Sequence, residues 1–296
     1  MSLAKNAPPG KWLGAFSIAA TDLSLPALSG RVENRKEGEW MSSQASLSAQ
    51  DCARKIQSSR HLVVLSGAGI STAAGVPDFR GPQGLYVTRA YDPETVFDIG
   101  YFDHDPSPFY KFSRDFLGLL GDLQPTFTHL FLARLEAAGQ EVWVVTQNID
   151  GLHQRAGSKH VLPVHGDYET AACRRCHQAF TGAELRQKLA EKPEAVPLCP
   201  ACGGVIKPDV VFFGENVKHL AEADRLARRS DLMLVLGSSL QVYPAAALPG
   251  SAGGEVVVVN RGHSAIQSRA GTFIVDAGLD EYFQEVAAAL DPSTQG

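Results

Sequence analysis

The chain has no apolar run near the length of about 20 residues that a bilayer-crossing helix needs, so no membrane partner is expected. Cysteine is scarce: Cys52 stands alone, and the other four fall in two C-x-x-C pairs. A secreted disulfide scaffold would be shorter and richer in cysteine, and no secretory leader is read at the N-terminus. A reducing, cytoplasmic compartment is the expectation. Positive charge is not in excess either. The formal net charge of −5 argues against direct nucleic-acid binding over the whole surface. A strict G-x-G-x-x-G is also missing, because the glycine after Gly67-Ala68-Gly69 is Gly75. What remains is ordinary for a globular protein, with 44% hydrophobic and 20% charged residues. At 296 residues the chain suits one large domain or a domain with an insert.

Residues 1–46 hold Pro8-Pro9-Gly10, scattered serines and no sustained period, which predicts a poorly ordered tail. Asp22, Glu33, Glu37 and Glu39 spoil the acid-poor pattern of a transit peptide. From Ser48 to Ser59 the spacing predicts a short helix with Cys52, Ala53 and Ile56 on one face, which makes Cys52 a core residue. An apolar strand, Leu62 to Leu65, then runs into Gly67-Ala68-Gly69 and on to Pro77-Asp78-Phe79-Arg80. Paired glycines after a strand allow a tight turn and a close approach of backbone N–H groups to an anion. The same tripeptide also occurs in turns that bind nothing.

Aromatics and prolines mix between Phe97 and Phe116, which predicts a helical subdomain whose rings form its core. A helix over Thr128–Ala138 stops at Gly139. Further apolar strands are predicted at Glu141–Val145, Val161–Val164, Val210–Phe213, Leu232–Leu236, Glu255–Val259 and Phe273–Val275, with helices at Leu220–Arg228 and Leu279–Leu290. Apolar strands that end in small or polar residues imply an α/β fold, a Rossmann-like doubly wound parallel sheet.

Ligands of open α/β sheets gather at the C-terminal ends of the strands. Gln147-Asn148-Ile149-Asp150 occupies one such end, although Asn and Asp also cap ordinary turns. Gly237-Ser238-Ser239 and Asn260 occupy two more, and with the glycine turn they outline a dinucleotide lying across the sheet. His165 ends another strand. An isolated histidine is more often structural, but an imidazole there suits a general base at neutral pH.

Cys173-x-x-Cys176 and Cys199-x-x-Cys202 are separated by 22 residues, the spacing of two knuckles closing a tetrahedral Cys₄ zinc site. Four thiolates fill the coordination sphere, so the metal is expected to be structural, one zinc per chain. Residues 166–204 carry five Lys/Arg and five Asp/Glu, so the module is a poor phosphate binder. A structural insert therefore outweighs a nucleic-acid-binding ribbon.

Taken in order, GAGISTAAGVPDFRG, TQNIDGLHQRAG, His165-Gly166, both C-x-x-C pairs, KPDVVFFGE, GSSLQVYPAAALP and Val259-Asn260 resemble the sirtuin family, in its bacterial and archaeal deacetylase type. The resemblance implies an NAD-dependent protein-lysine deacetylase that yields nicotinamide, O-acetyl-ADP-ribose and free lysine from acetylated peptides or proteins. It implies a catalytic domain over 47–290 followed by a tail at 291–296. Within it, a Rossmann-like large domain would take about 47–80, 120–165 and 205–290. The helical part would take about 81–119 and the zinc module about 166–204.

Matched to the family, His165 would be the base, Asn148 would position a ribose or a water, and Asp150 with Ile149 would line the nicotinamide pocket. Gly67, Ala68, Gly69, Thr72, Asp78, Phe79, Arg80 and Gln147 match cofactor positions. So do Gly237, Ser238, Ser239, Asn260 and Ala277 on the diphosphate and adenosine side. Val211, Phe212, Phe213 and Gly214 match the segment that pairs with an extended substrate, and Tyr110 a substrate-side tyrosine. Where family members with acidic-acyl preference carry an arginine, this chain has Ser113, so a carboxylate would lack its bidentate partner. Three rival readings share these motifs: a mono-ADP-ribosyltransferase, an NAD-sensing zinc-ribbon binding module and a hydride-transferring dehydrogenase. His165 favours deacylation over transfer, the polar residues at the nicotinamide end count against a sensing module, and the Phe79, Asn148 and His165 pattern counts against hydride transfer.

Overall fold

The computed structural model describes residues 46–77, 91–267 and 269–291. In chain order the strands are β1 (His61–Ser66), β2 (Glu141–Thr146), β3 (Val161–Pro163), β4 (Thr170–Cys173), β5 (Ala179–Thr181), β6 (Ile206–Pro208), β7 (Leu232–Leu236), β8 (Glu255–Val259) and β9 (Thr272–Val275). The helices are α1 (Ala49–Ser58), α2 (Pro93–Val96), α3 (Ile99–His104), α4 (Ser107–Asp122), α5 (Phe127–Ala137), α6 (Leu152–Ala156), α7 (Gly182–Glu191), α8 (Leu220–Arg229) and α9 (Leu279–Leu290). Among the described residues, no helix is long and apolar enough to cross a membrane.

Six strands form one parallel sheet in the order β3-β2-β1-β7-β8-β9. Successive strand side chains point to opposite faces, and both faces here are covered. Leu62, Val64, Val144, Leu234 and Val257 meet Cys52 and Ile56 of α1, Leu132 of α5 and Phe283 of α9. Val63, Leu65, Val145, Met233, Val235 and Val258 face the other way, toward Ala223 and Ala227 of α8 and toward Leu248. Each fully buried aliphatic side chain contributes roughly 1.5–3 kcal/mol by leaving water. That double burial explains why these strands read as unbroken apolar runs.

The helices start where side chains take up their first N–H groups. Ser48 accepts from Asp51 N at the head of α1, 3.1 Å away. Thr126 and His129 form a reciprocal cap on α5, and Asp280 of α9 accepts from Phe127 N and Thr128 N at 3.1 and 2.9 Å. Such caps are each worth about 1 kcal/mol, and the last of them also ties two helices together.

The helical segment and the cysteine module, separate in sequence, share one core. Phe97, Phe102, Phe109, Phe112 and Phe116 pack with Tyr168, Phe180, Leu185, Ile206 and Phe212. Ring centroids lie 4.9 Å apart for Phe97–Phe112 and 4.8 Å for Phe109–Phe212. Arg174 beside the first knuckle adds two hydrogen bonds to Asp103 of α3, at 3.0 and 2.6 Å. The antiparallel sheet β5-β4-β6 completes this lobe, which extends to Pro208.

Residues 210–213 do not form the expected strand. Phe213 makes only an isolated bridge with Asp98, and the regular strand in this region is β6. The alternation is real, since Val210 and Phe212 are buried while Phe213 is exposed. It pins one extended segment between two neighbours. Val211 N donates to His165 O at 2.8 Å, and Phe213 N donates to Phe97 O at 2.7 Å.

Candidate active site

Strand order reverses between β1 and β7, the switch point at which open α/β sheets hold ligands. There the glycine turn meets the end of β7. Gly69 N donates to Gly237 O at 2.9 Å, and Gly67 N to Leu236 O at 3.0 Å. A Cβ on Gly69 would fall 2.7 Å from the Cα of Gly237, and one on Gly67 2.8 Å from its carbonyl oxygen. Gly237 itself has φ +60, a left-handed conformation that suits glycine. Side chains are thus kept out of the gap between the two strand ends. Thr72 Oγ1 bonds Gly69 O and holds the turn, which also contains Ala68.

From the neighbouring β2, Gln147 Nε2 donates to Ser238 Oγ at 3.0 Å and bridges the end of β1. Ser239 is half-buried beside it. Asn148 is 9% exposed, and its Nδ2 donates to Gly67 O and Ser71 Oγ at 3.1 and 3.2 Å. Ser71 Oγ in turn donates to Asp150 Oδ2 at 2.7 Å, while Asp150 Oδ1 accepts from Leu152 N at the start of α6. Burial pushes the Asp150 carboxyl above its ordinary range, against the pull of these hydrogen bonds. Ile149 is half-buried and packs toward the aromatic lobe.

His165 follows β3. Its Nδ1 lies 3.0 Å from Gln147 O, and a carbonyl can only accept, so Nδ1 carries the proton and Nε2 the lone pair. Burial lowers its pKa, with the Gln147 bond pulling the other way, so the imidazole is neutral at pH 7. A neutral base with one fixed nitrogen therefore stands at the strand end next to that of Asn148.

Asn260 N bonds Val275 O, but its side chain turns back to Arg261 O and Gly262 O, the capping role rather than an outward one. Ala277 is partly buried just before α9. Asp78, Phe79 and Arg80 lie outside the described residues. Tyr110 is buried in the aromatic core among the small lobe's own side chains, and its hydroxyl donates to Ile206 O. Ser113 is likewise committed, to Tyr168 Oη at 2.9 Å. Phe213 also uses both backbone groups internally, since Ile99 N donates to its carbonyl.

Three contributors were passed over in the sequence. Ser71 joins Asn148 to Asp150, and the signal for it was a hydroxyl two residues beyond the paired glycines. Lys207 and Glu215 form a mostly buried pair at 2.8 Å. Lys207 Nζ also bonds Val210 O, and Glu215 Oε2 accepts from Phe212 N, so they clip the 207–215 segment shut. Their spacing within KPDVVFFGE gave no periodic clue.

In the small lobe all four cysteine sulfurs lie within 4.8 Å of one another. Cys173–Cys202 is 3.4 Å and Cys176–Cys199 3.7 Å. Tetrahedral Zn–S bonds of about 2.3 Å place sulfurs about 3.8 Å apart, so the set fits one zinc ion with no open position. Arg175 N and Gly204 N point at Cys173 and Cys202 sulfurs at 3.4 Å each, as donors toward thiolates do.

The family model described as Sir2 family matches residues 67–244, from the glycine turn to Pro244. The chain belongs to the Sir2 family. An NAD-dependent protein deacetylase of Thermotoga maritima is 46% identical over 214 residues, covering 71% of this chain and 85% of the relative. One from Caldivirga maquilingensis is 45% identical over 210 residues, covering 69% and 79%. Among solved sirtuin structures, a complex of Sir2 with a p53 peptide and NAD+ aligns with TM-score 0.72 at 41% identity, over 81% of this chain and 97% of that one. A Sir2 bound to acetylated peptide aligns with TM-score 0.72 at 38% identity, over 83% and 100%.

Proposed function

We infer that this sirtuin is an NAD-dependent protein-lysine deacetylase, releasing nicotinamide, O-acetyl-ADP-ribose and the free lysine. The observation that carries the reading is His165, a neutral imidazole with its Nδ1 fixed on Gln147 O, on the strand-end row that holds the glycine cradle. The relatives in the same family are named for this activity.

The cradle fits NAD. Gly67, Gly69 and Gly237 keep Cβ atoms out of the switch point, and Ala68, Ser238 and Ser239 present small groups to a diphosphate. Asn260 and Ala277 lie toward the adenosine side, and Thr72 with Gln147 toward the nicotinamide ribose. Asp78, Phe79 and Arg80 are assigned to the reactive lip from sequence. When bound, NAD supplies the activated glycosidic carbon that receives the acyl oxygen.

Everything else is done by the chain. Nε2 of His165 accepts a proton from a ribose hydroxyl. Asn148 holds the ribose side of the pocket, with its amide oriented by Gly67 O and Ser71 Oγ. Asp150 and Ile149 bound the nicotinamide end. The acetyl-lysine peptide lies against Val211, Phe212 and Gly214. Phe213 contributes its exposed ring, because its backbone is already paired. The catalytic domain is assigned to 47–290. One structural zinc sits on Cys173, Cys176, Cys199 and Cys202, and thiolates of that kind suit the cytoplasm.

The test is incubation with an acetyl-lysine peptide, with and without NAD, following nicotinamide and peptide mass. NAD-dependent loss of acetyl that disappears in His165→Ala is expected. No such loss, or an unchanged rate in the variant, sinks the reading. ADP-ribose label on protein without deacetylation would point to a transferase instead.

A further inference from the structure

Beneath the site, two histidines unused by the proposed chemistry face each other. His129 of α5 and His153 of α6 are both buried, with ring centroids 4.6 Å apart and planes at 63°. Each makes a bond on one nitrogen only: His129 Nε2 and His153 Nδ1 have no partner among the described residues. Two orphaned ring nitrogens side by side in a sealed core are unusual, because buried polar atoms are nearly always paired.

The proton positions follow from the bonds that are made. His129 Nδ1 accepts from Thr126 N at 3.3 Å, since a backbone amide can only donate, and Thr126 Oγ1 at 2.8 Å then gives its one hydrogen to the same nitrogen. Nδ1 of His129 is therefore bare, and the neutral ring carries its hydrogen on Nε2. His153 Nε2 lies 2.9 Å from Ser66 Oγ, which donates onward to Thr146 Oγ1 at 2.9 Å. Ser66 has one hydrogen and spends it on Thr146, so His153 Nε2 must be the donor. That leaves His153 Nδ1 bare as well. The two orphans are thus a donor and an acceptor, matched across the ring contact. The opposite tautomer of His153 would set two buried donors against each other.

We propose that His129 Nε2–H is bonded to His153 Nδ1, directly or through one enclosed water, and that the pair acts as a positioning relay for the NAD site. One end of the relay reaches site backbone: Thr146 Oγ1 accepts from Asn148 N at 3.1 Å. The relay thus fixes Asn148 from below, while Asn148 Nδ2 joins it to the glycine turn from above through Gly67 O. Burial keeps both rings neutral, His129 with a pKa near 4 and His153 well below the ordinary value, and Asp280 at the head of α5 is the carboxylate that acts on His129. The positioning role rests on the NAD-site reading above; the relay itself does not.

The full chain labelled with ¹⁵N-histidine separates the two. Nitrogen spectra between pH 5 and 8 should show both rings neutral, protonated on Nε2 and not titrating. A hydrogen on Nδ1 of either ring, or a titration near pH 6.5, overturns the relay. His129→Asn keeps an acceptor for Thr126 N but removes the Nε2 donor. It should shift the His153 Nδ1 resonance toward that of an unbonded nitrogen and weaken NAD affinity by calorimetry about tenfold. His153→Gln, which keeps the donor to Ser66, should weaken NAD binding similarly while the KM for acetyl peptide holds. Unchanged NAD affinity in both variants overturns the positioning role. An unmodified protein that binds no NAD overturns the site reading instead, and the spectra still decide the relay.

Discussion

Gly69 and Gly237 share a hydrogen bond of 2.9 Å across the one place where the sheet reverses its strand order, and neither can carry a side chain there. Gly237→Ala meets Ile70 N at 2.5 Å and also keeps a left-handed φ, which alone costs about 1–2 kcal/mol. Both Gly69→Ala and Gly237→Ala should lower Tm by several degrees, at about 2–4 °C per kcal/mol for a chain near this size. They should also weaken NAD binding more than the stability loss explains. Calorimetric titration beside a thermal melt checks both.

The histidines set an acid limit. Folded pKa values below the ordinary one mean that the unfolded chain binds more protons once pH drops past about 6.5. His129, His153 and His165 all lie in that direction, so their share of stability is complete above pH 6.5 and is lost as pH falls toward their folded values. Chemical denaturation at pH 5 and pH 7.5 should show lower stability at the acid end. The acid limb of activity should lie below pH 6.5, where Nε2 of His165 begins to protonate.

Asp150 has the opposite sign. Its raised folded pKa costs stability as pH rises through that value, because burial disfavours the charge. Asp150→Asn keeps an acceptor for Leu152 N and removes the charge, so Tm at pH 7.5 should rise. Turnover should drop about 10²-fold if the carboxylate works at the nicotinamide end. A lower Tm would show that its hydrogen bonds outweigh its desolvation.

Lys207 and Glu215 predict a non-additive pair. Glu215→Gln strands a buried ammonium, a loss of roughly 3–5 kcal/mol when one partner of such a pair is removed. The double change Lys207→Met with Glu215→Gln should recover part of that stability. The KM for acetyl peptide should rise in both, since the clip shapes the segment at Val211–Gly214. Equal KM values in all three proteins would detach the clip from substrate binding.

The large sheet was legible because its strands are buried on both faces and end in polar groups. Leu232–Leu236 and Leu279–Leu290 match the observed elements to the residue. The cysteine quartet was legible because ligand spacing is local. What could not be read depends on distant partners. Val210–Phe213 has a strand's alternation, yet its neighbours are His165 and Phe97, which only the folded chain brings near. Tyr110 matched a motif, but its hydroxyl meets Ile206, 96 residues away. Asn148 and Asp150 stood out by type, whereas Ser71, the small hydroxyl between them, did not. That the helical segment and the cysteine module share a core is a fact of tertiary packing alone.

The chain leaves the parallel sheet at His165 and returns beside it. Val211 N reaches His165 O at 2.8 Å, Asp209 N reaches Thr170 O at 2.9 Å, and Gly166 leaves room for Asp209 O where a Cβ would lie 1.7 Å away. The residues between are a cassette whose two stems are already clasped. Length changes in its outer loop, between Glu191 and Leu198, need not travel to the base that holds His165. Cassettes of different length and charge can therefore be exchanged on an unchanged parallel sheet, provided Phe180, Leu185 and Ile206 keep their faces toward the helices.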